Sequence, residues 1–141
     1  MVPIETTCTM KKSTAMALRL LIAGLAGLLI WYHFYTLYQL FLGTGPTFGG
    51  TYEYLQAPLR LIIAISLLGV VFGVRWALWG MWAGITALVA TQYWAHFAHL
   101  PVEFIQGRHP LSYLKGFIFP TLITLAFLTS AATAKKGAAP N

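Results

Sequence analysis

The sequence predicts an all-α integral membrane protein, a single four-helix bundle with both termini cytoplasmic and a tight hairpin between its second and third helices. Three observations carry that expectation. Hydrophobic residues make up 58% of the chain and charged residues 9%, well outside the balance of soluble domains. Four apolar stretches, at about 18–41, 55–74, 76–99 and 114–133, approach the roughly 20 residues that a helix needs to cross a bilayer. The basic residues lie at the ends of these stretches rather than in one patch.

That placement sets the expected topology. With a cytoplasmic N-terminus, Lys11, Lys12, Arg19, Arg75, Lys135 and Lys136 fall inside, whereas Arg60, Arg108 and Lys115 fall outside. The richer side faces the cytoplasm. A net charge of +6 distributed in this way points to lipid headgroups as the partner and argues against nucleic acid. The single cysteine, Cys8, rules out an internal disulfide, and the only asparagine, Asn141, leaves no glycosylation sequon. These features favour a bacterial inner membrane.

Along the chain, Met1 to Ser13 reads as a polar, basic anchoring tail. The first helix begins aliphatic and turns aromatic at Trp31, Tyr32, Phe34 and Tyr35, with His33 near mid-span if Arg19 marks the inner surface. Gly43 to Pro58 reads as an outer loop, and Pro58 suits the first turn of the second helix, where a missing N–H costs nothing. Gly69 and Gly73, then Gly80 and Gly84, form two GxxxG pairs flanking Val74 and Arg75, which are left to make the turn. Ser66, Gly69, Gly73, Ala77, Gly80, Gly84, Ala87 and Thr91 form the stripe on which two backbones approach closely in lipid. The opposite face of the third helix carries Trp76, Trp79, Trp82, Tyr93, Trp94 and Phe97, and Pro101 ends it. The last helix starts near Lys115 and carries Pro120 early.

Two sets of residues are candidates for chemistry. An ionisable group inside a bilayer is costly, so His33, framed by Tyr35 and Gln92, is a candidate to ligate a haem iron or chlorophyll magnesium, or to bond a quinone carbonyl. The competing reading is a neutral imidazole bonded to Thr36 or Gln92, with no cofactor. A haem shared by His33 and His96 is disfavoured, because their heights differ by roughly 10 Å at 1.5 Å per residue. The second set is His96, His99, Glu103 and His109 near the outer surface, whose imidazole and carboxylate groups suit zinc, copper or iron. On that reading, alanine at His96 and His99 abolishes stoichiometric metal. The chain has no aspartate, and none of its three glutamates falls within an expected span, which argues against an ion-coupled transporter.

The order of features resembles the DoxX-like membrane family. The residues that carry it are Ala17 to Leu21, His33, the Leu-Leu-Gly at 67–69, Arg75 in the inner turn and the Ala- and Met-rich third helix, covering about the first hundred residues. The glycine and lysine that follow that family's histidine are replaced here by Phe34 to Tyr38. The resemblance implies a small four-helix bundle, in some members a subunit of a quinone-reducing oxidoreductase. The leading expectation is a non-catalytic accessory subunit that packs against other membrane subunits and lipid; the alternatives are a quinone- or pigment-associated redox subunit and a metal-binding membrane protein.

Overall fold

A computed structural model describes residues 4–43, 50–101 and 106–137, with the side chains of 13–43, 50–101 and 106–134. The described residues are helical, with no strand among them: α1 (Ile4–Leu42), α2 (Gly50–Val71), α3 (Ala77–Phe97), a 3₁₀ helix (Pro110–Phe117) and α4 (Ile118–Gly137). Three segments are long and apolar enough to cross a membrane, Ser13–Leu42, Gly50–Val71 and Pro110–Ala134, which marks the chain as a membrane protein. The expected third span does not reach that hydropathy. The 21 residues of α3 include Trp79, Trp82, Thr91, Gln92 and His96, which lower its mean.

Two helices begin earlier than the sequence implies. The segment read as a polar tail is helical from Ile4, and α2 starts at Gly50 rather than near Leu55, which puts Pro58 inside the helix instead of in its first turn. The ring removes one backbone donor. Because α2 continues through it, Tyr52, Gln56 and Arg60 stand at i, i+4 and i+8 on one face, and all three are buried.

The α2–α3 hairpin exists, but its turn spans residues 72–76 and is built differently from expectation. Gly73 adopts φ +82°, its N–H donates to the Val70 carbonyl at 3.0 Å, and the Val74 N–H donates to the Gly69 carbonyl at 2.9 Å. This is a Schellman stop, with glycine at the left-handed position. Gly73 is therefore a turn residue and not part of the packing stripe; nothing lies within 4 Å of where its Cβ would stand. Substituting alanine there forces a left-handed backbone on a residue with a Cβ, and we expect Gly73→Ala to cost about 1 kcal/mol in detergent unfolding titrations.

The rest of the stripe does set the spacing of α2 and α3. A Cβ on Gly84 would stand 2.7 Å from Ile63 Cγ1, one on Gly69 would stand 2.8 Å from Ala77 Cβ, and one on Gly80 would collide with the Ser66 hydroxyl. The core that results contains Ile63, Leu67 and Val70 of α2, Met81 and Ile85 of α3, Ile22 and Ala26 of α1, and Ile123 of α4. Around the bundle, α2 lies between α3 and α1, and α1 packs on α4. Contact between α3 and α4 is slight, and there the 3₁₀ helix bridges the two. Trp82 ties this side together: its indole N–H donates to Thr124 Oγ1 at 2.9 Å and its ring stacks on Phe117. The aromatic face of α3 thus divides, with Trp76, Trp79, Trp94 and Phe97 exposed while Trp82 and Tyr93 turn inward.

Candidate functional site

The early start of α2 has its main consequence at Arg60. The sequence places this residue at the outer surface, two residues after Pro58 in the first turns of the helix. In the fold it lies ten residues beyond Gly50, about 15 Å along a 22-residue helix, and is 7% exposed. It is a cation at the middle of an apolar segment, not the outer-surface charge that the topology count expects. Such a group costs about 2.5–3.5 kcal/mol even on the more lenient insertion scales, and is held in place only where neighbours compensate.

The compensation comes from uncharged groups. The Arg60 Nη2 donates to Gln56 Oε1 at 2.9 Å, and Nη1 lies 3.5 Å from Nδ1 of His33, a long contact. The guanidinium also sits over the Tyr32 ring, 5.9 Å from its centroid. Gln56 passes the chain onward, donating to the Tyr52 hydroxyl at 2.6 Å and to Thr91 Oγ1 at 3.3 Å. Thr91 in turn donates to the Leu88 carbonyl at 2.7 Å. Since arginine only donates, Nδ1 is the accepting nitrogen of His33, and the ring proton belongs on Nε2. Among the described residues no carboxylate pairs with Arg60. Uncharged acceptors and a ring face thus meet a group with five N–H donors.

This network borders a cavity of about 520 Å³ between α1, α2, α3, the 3₁₀ helix and the start of α4. His33, 4% exposed, and Arg60 form one wall, Gln92 another, and Tyr113 and Ser112 of the 3₁₀ helix close it. Leu28, Leu29, Ile85, Leu88, Val89 and Phe119 supply the apolar lining. The volume suits a small organic molecule or the head and first part of a larger one, and the mixture of apolar wall and a few polar groups is typical of such sites.

Of the first candidate set, His33 and Gln92 do share this cavity. Tyr35 does not: it is exposed on the other side of α1, where its hydroxyl accepts from Gln39 at 3.0 Å. The hydroxyl of Thr36, the other expected partner, donates to the Tyr32 carbonyl of its own helix, and the ring nitrogen Nδ1 of His33 faces Arg60 instead. Arg60, Gln56, Tyr52 and Tyr113 are site residues that sequence reasoning missed. The signal for the first three was present as Tyr52-x₃-Gln56-x₃-Arg60, legible only once the helix is allowed to run through Pro58.

The outer histidines are occupied separately. His96 lies 3.1 Å from the Tyr113 hydroxyl and edge-on to its ring, while His109 Nδ1 accepts from the Leu111 N–H and caps the 3₁₀ helix. His99 stands beyond the end of α3 with φ 51° and is exposed. Glu103 lies outside the described residues. Among the described residues, no three metal-binding side chains come close enough to hold an ion, so His96, His99 and His109 do not by themselves form the expected set.

Comparisons with protein families, with curated proteins and with solved structures find no match to this chain.

Proposed function

We propose that this chain is a small integral membrane subunit that binds a lipophilic molecule by its polar head, holding the head against Arg60, His33 and Gln92. The observation that carries this reading is the buried Arg60–His33 pair on the wall of a cavity that is otherwise mostly apolar. A cation is retained at mid-helix, against its insertion cost, where something in the site uses its donors. A quinone fits, because Arg60 and Gln92 both donate to carbonyl oxygens. The features shared with the DoxX-like family support the same ligand class.

The chain works beside other membrane subunits rather than as an enzyme by itself. Support comes from the large exposed apolar side chains, among them Trp76, Trp79, Tyr38 and Phe41, which suit lipid or neighbouring helices. Both termini are cytoplasmic on this reading, in what we take to be a bacterial inner membrane. Because Arg60 belongs to the bundle interior, it leaves the count of outer loop charges, and the excess of basic residues inside grows.

The test is direct. The chain is purified in mild detergent from its native membrane, and extracted lipophiles are identified by mass spectrometry. We expect one lipophile at near-stoichiometric amount, depleted about tenfold or more in His33→Leu and Gln92→Leu. Equal recovery from the wild-type chain and both variants would overturn the reading.

A further inference from the structure

We propose that the cavity selects an anionic amphiphile, a single phosphate or carboxylate head on an apolar chain, an inference that rests on the lipophile-binding reading above. The buried Arg60 stands in the wall of this space, and the exposed Arg108 and Lys115 border it on the 3₁₀-helix side. Among the described residues, no acidic side chain lines it. An anionic head accepts charge-assisted hydrogen bonds from the buried Arg60 guanidinium, which no carboxylate among the described residues neutralises. A neutral carbonyl needs one or two donors and gains little from the remaining charge.

A second observation points the same way. Ser112 lines the cavity, and its hydroxyl oxygen is buried with no hydrogen-bond partner among the described residues, a state that native folds rarely leave unanswered. A hydroxyl can donate to a head oxygen. Together with the guanidinium of Arg60 it offers donors of different reach to a group that carries several acceptor oxygens, as a phosphate does.

The rims of the cavity argue for a tail. Leu28 is 57% exposed and Trp31 71% exposed, and both border the space, so one rim is apolar and open to the helix exterior, where lipid lies if α1 crosses the bilayer. Lys115 is also exposed, where the 3₁₀ helix borders the cavity. A charged head at the cationic side with its chain leaving past Leu28 and Trp31 satisfies both rims, which a free inorganic anion does not.

The test uses the full chain in detergent micelles and three probes: radiolabelled hexadecyl phosphate, radiolabelled hexadecanol and unlabelled inorganic phosphate as competitor. We expect hexadecyl phosphate to saturate at one per chain and to bind about tenfold or more tightly than hexadecanol. Lys115→Gln, a change at an exposed side chain that leaves the bundle intact, should weaken hexadecyl phosphate about threefold and leave hexadecanol unchanged. Arg60→Gln should weaken it about tenfold or more. Hexadecanol binding as tightly as the phosphate would overturn the anionic head while leaving the lipophile reading intact. Inorganic phosphate displacing the probe at matching concentration would overturn the need for a tail. Saturable binding of neither labelled probe, in a chain that also yields no lipophile on extraction, would overturn both readings.

Discussion

Arg60→Met will empty the cavity of its native lipophile while leaving the bundle folded, with unfolding free energy within about 2 kcal/mol of the wild-type chain. Two opposing effects set the stability figure. Removing a mid-helix guanidinium relieves about 2.5–3.5 kcal/mol of insertion cost. The same change leaves Gln56 Oε1 and His33 Nδ1 without their donor, at about 1–3 kcal/mol for each buried group that finds no other partner. These nearly cancel. Binding has no such offset, because a charged donor to a buried head contributes about 1.5–3 kcal/mol, and two such donors on one guanidinium make the expected loss about a hundredfold or more. Ligand recovery by extraction and stability by detergent titration, measured on one preparation, check both halves. A variant that unfolds would show Arg60 to be a structural keystone of the bundle, and one that keeps its lipophile would remove it from the site.

Gly84→Leu will have the largest effect on the fold. A single added carbon there stands 2.7 Å from Ile63 Cγ1, and Ile63 is fully buried. A flexible surface side chain could swing aside, but Ile63 is packed on every side and β-branched, so α2 and α3 must part. Overpacking of this kind costs about 1–3 kcal/mol when the neighbours can yield, and the upper end applies here. The separation also disturbs Thr91 and Gln56, which meet across the same pair of helices at 3.3 Å. We therefore expect Gly84→Leu to lower stability by about 3 kcal/mol and to reduce bound lipophile as well. Gly24→Leu is the control, since nothing lies within 4 Å of where its Cβ would stand.

These two positions also show what the sequence could and could not disclose. Gly84 was legible from spacing alone, because glycines four apart share a helix face and small residues draw helices together in lipid. Gly73 obeyed the same spacing and yet serves the turn. Spacing cannot tell a packing glycine from a glycine one step past a helix end; the distinction lies in backbone φ, which only the fold determines. His33 was legible as an ionisable residue amid apolar ones, and Gln92 as a polar residue at comparable depth. Arg60 was missed through a helix boundary: with Pro58 assigned to the first turn, an arginine two residues later belongs to the interface. Moving the helix start from Leu55 to Gly50 carries that arginine into the bilayer.

The separation of His96, His99 and His109 has a different reason. Relative positions across Pro101 depend on a chain path that residue types do not encode, and the 3₁₀ helix, with no 3.6-residue periodicity to betray it, took His109 as its cap. Tyr113, which that short helix delivers to both His96 and the cavity, was hidden with it.

The compact turn at residues 72–76 bears on how the chain enters a membrane at all. A five-residue turn that opens on a Schellman stop leaves α3 no course except back along α2, so the two helices form one unit of insertion rather than two. Taken alone, α3 carries too many tryptophans and polar groups to qualify as a span, but it need not qualify alone. The hydropathy of α2 supplies entry for both, and α3 is thereby free to keep Thr91, Gln92 and His96, the polar side chains a self-sufficient span would have had to give up.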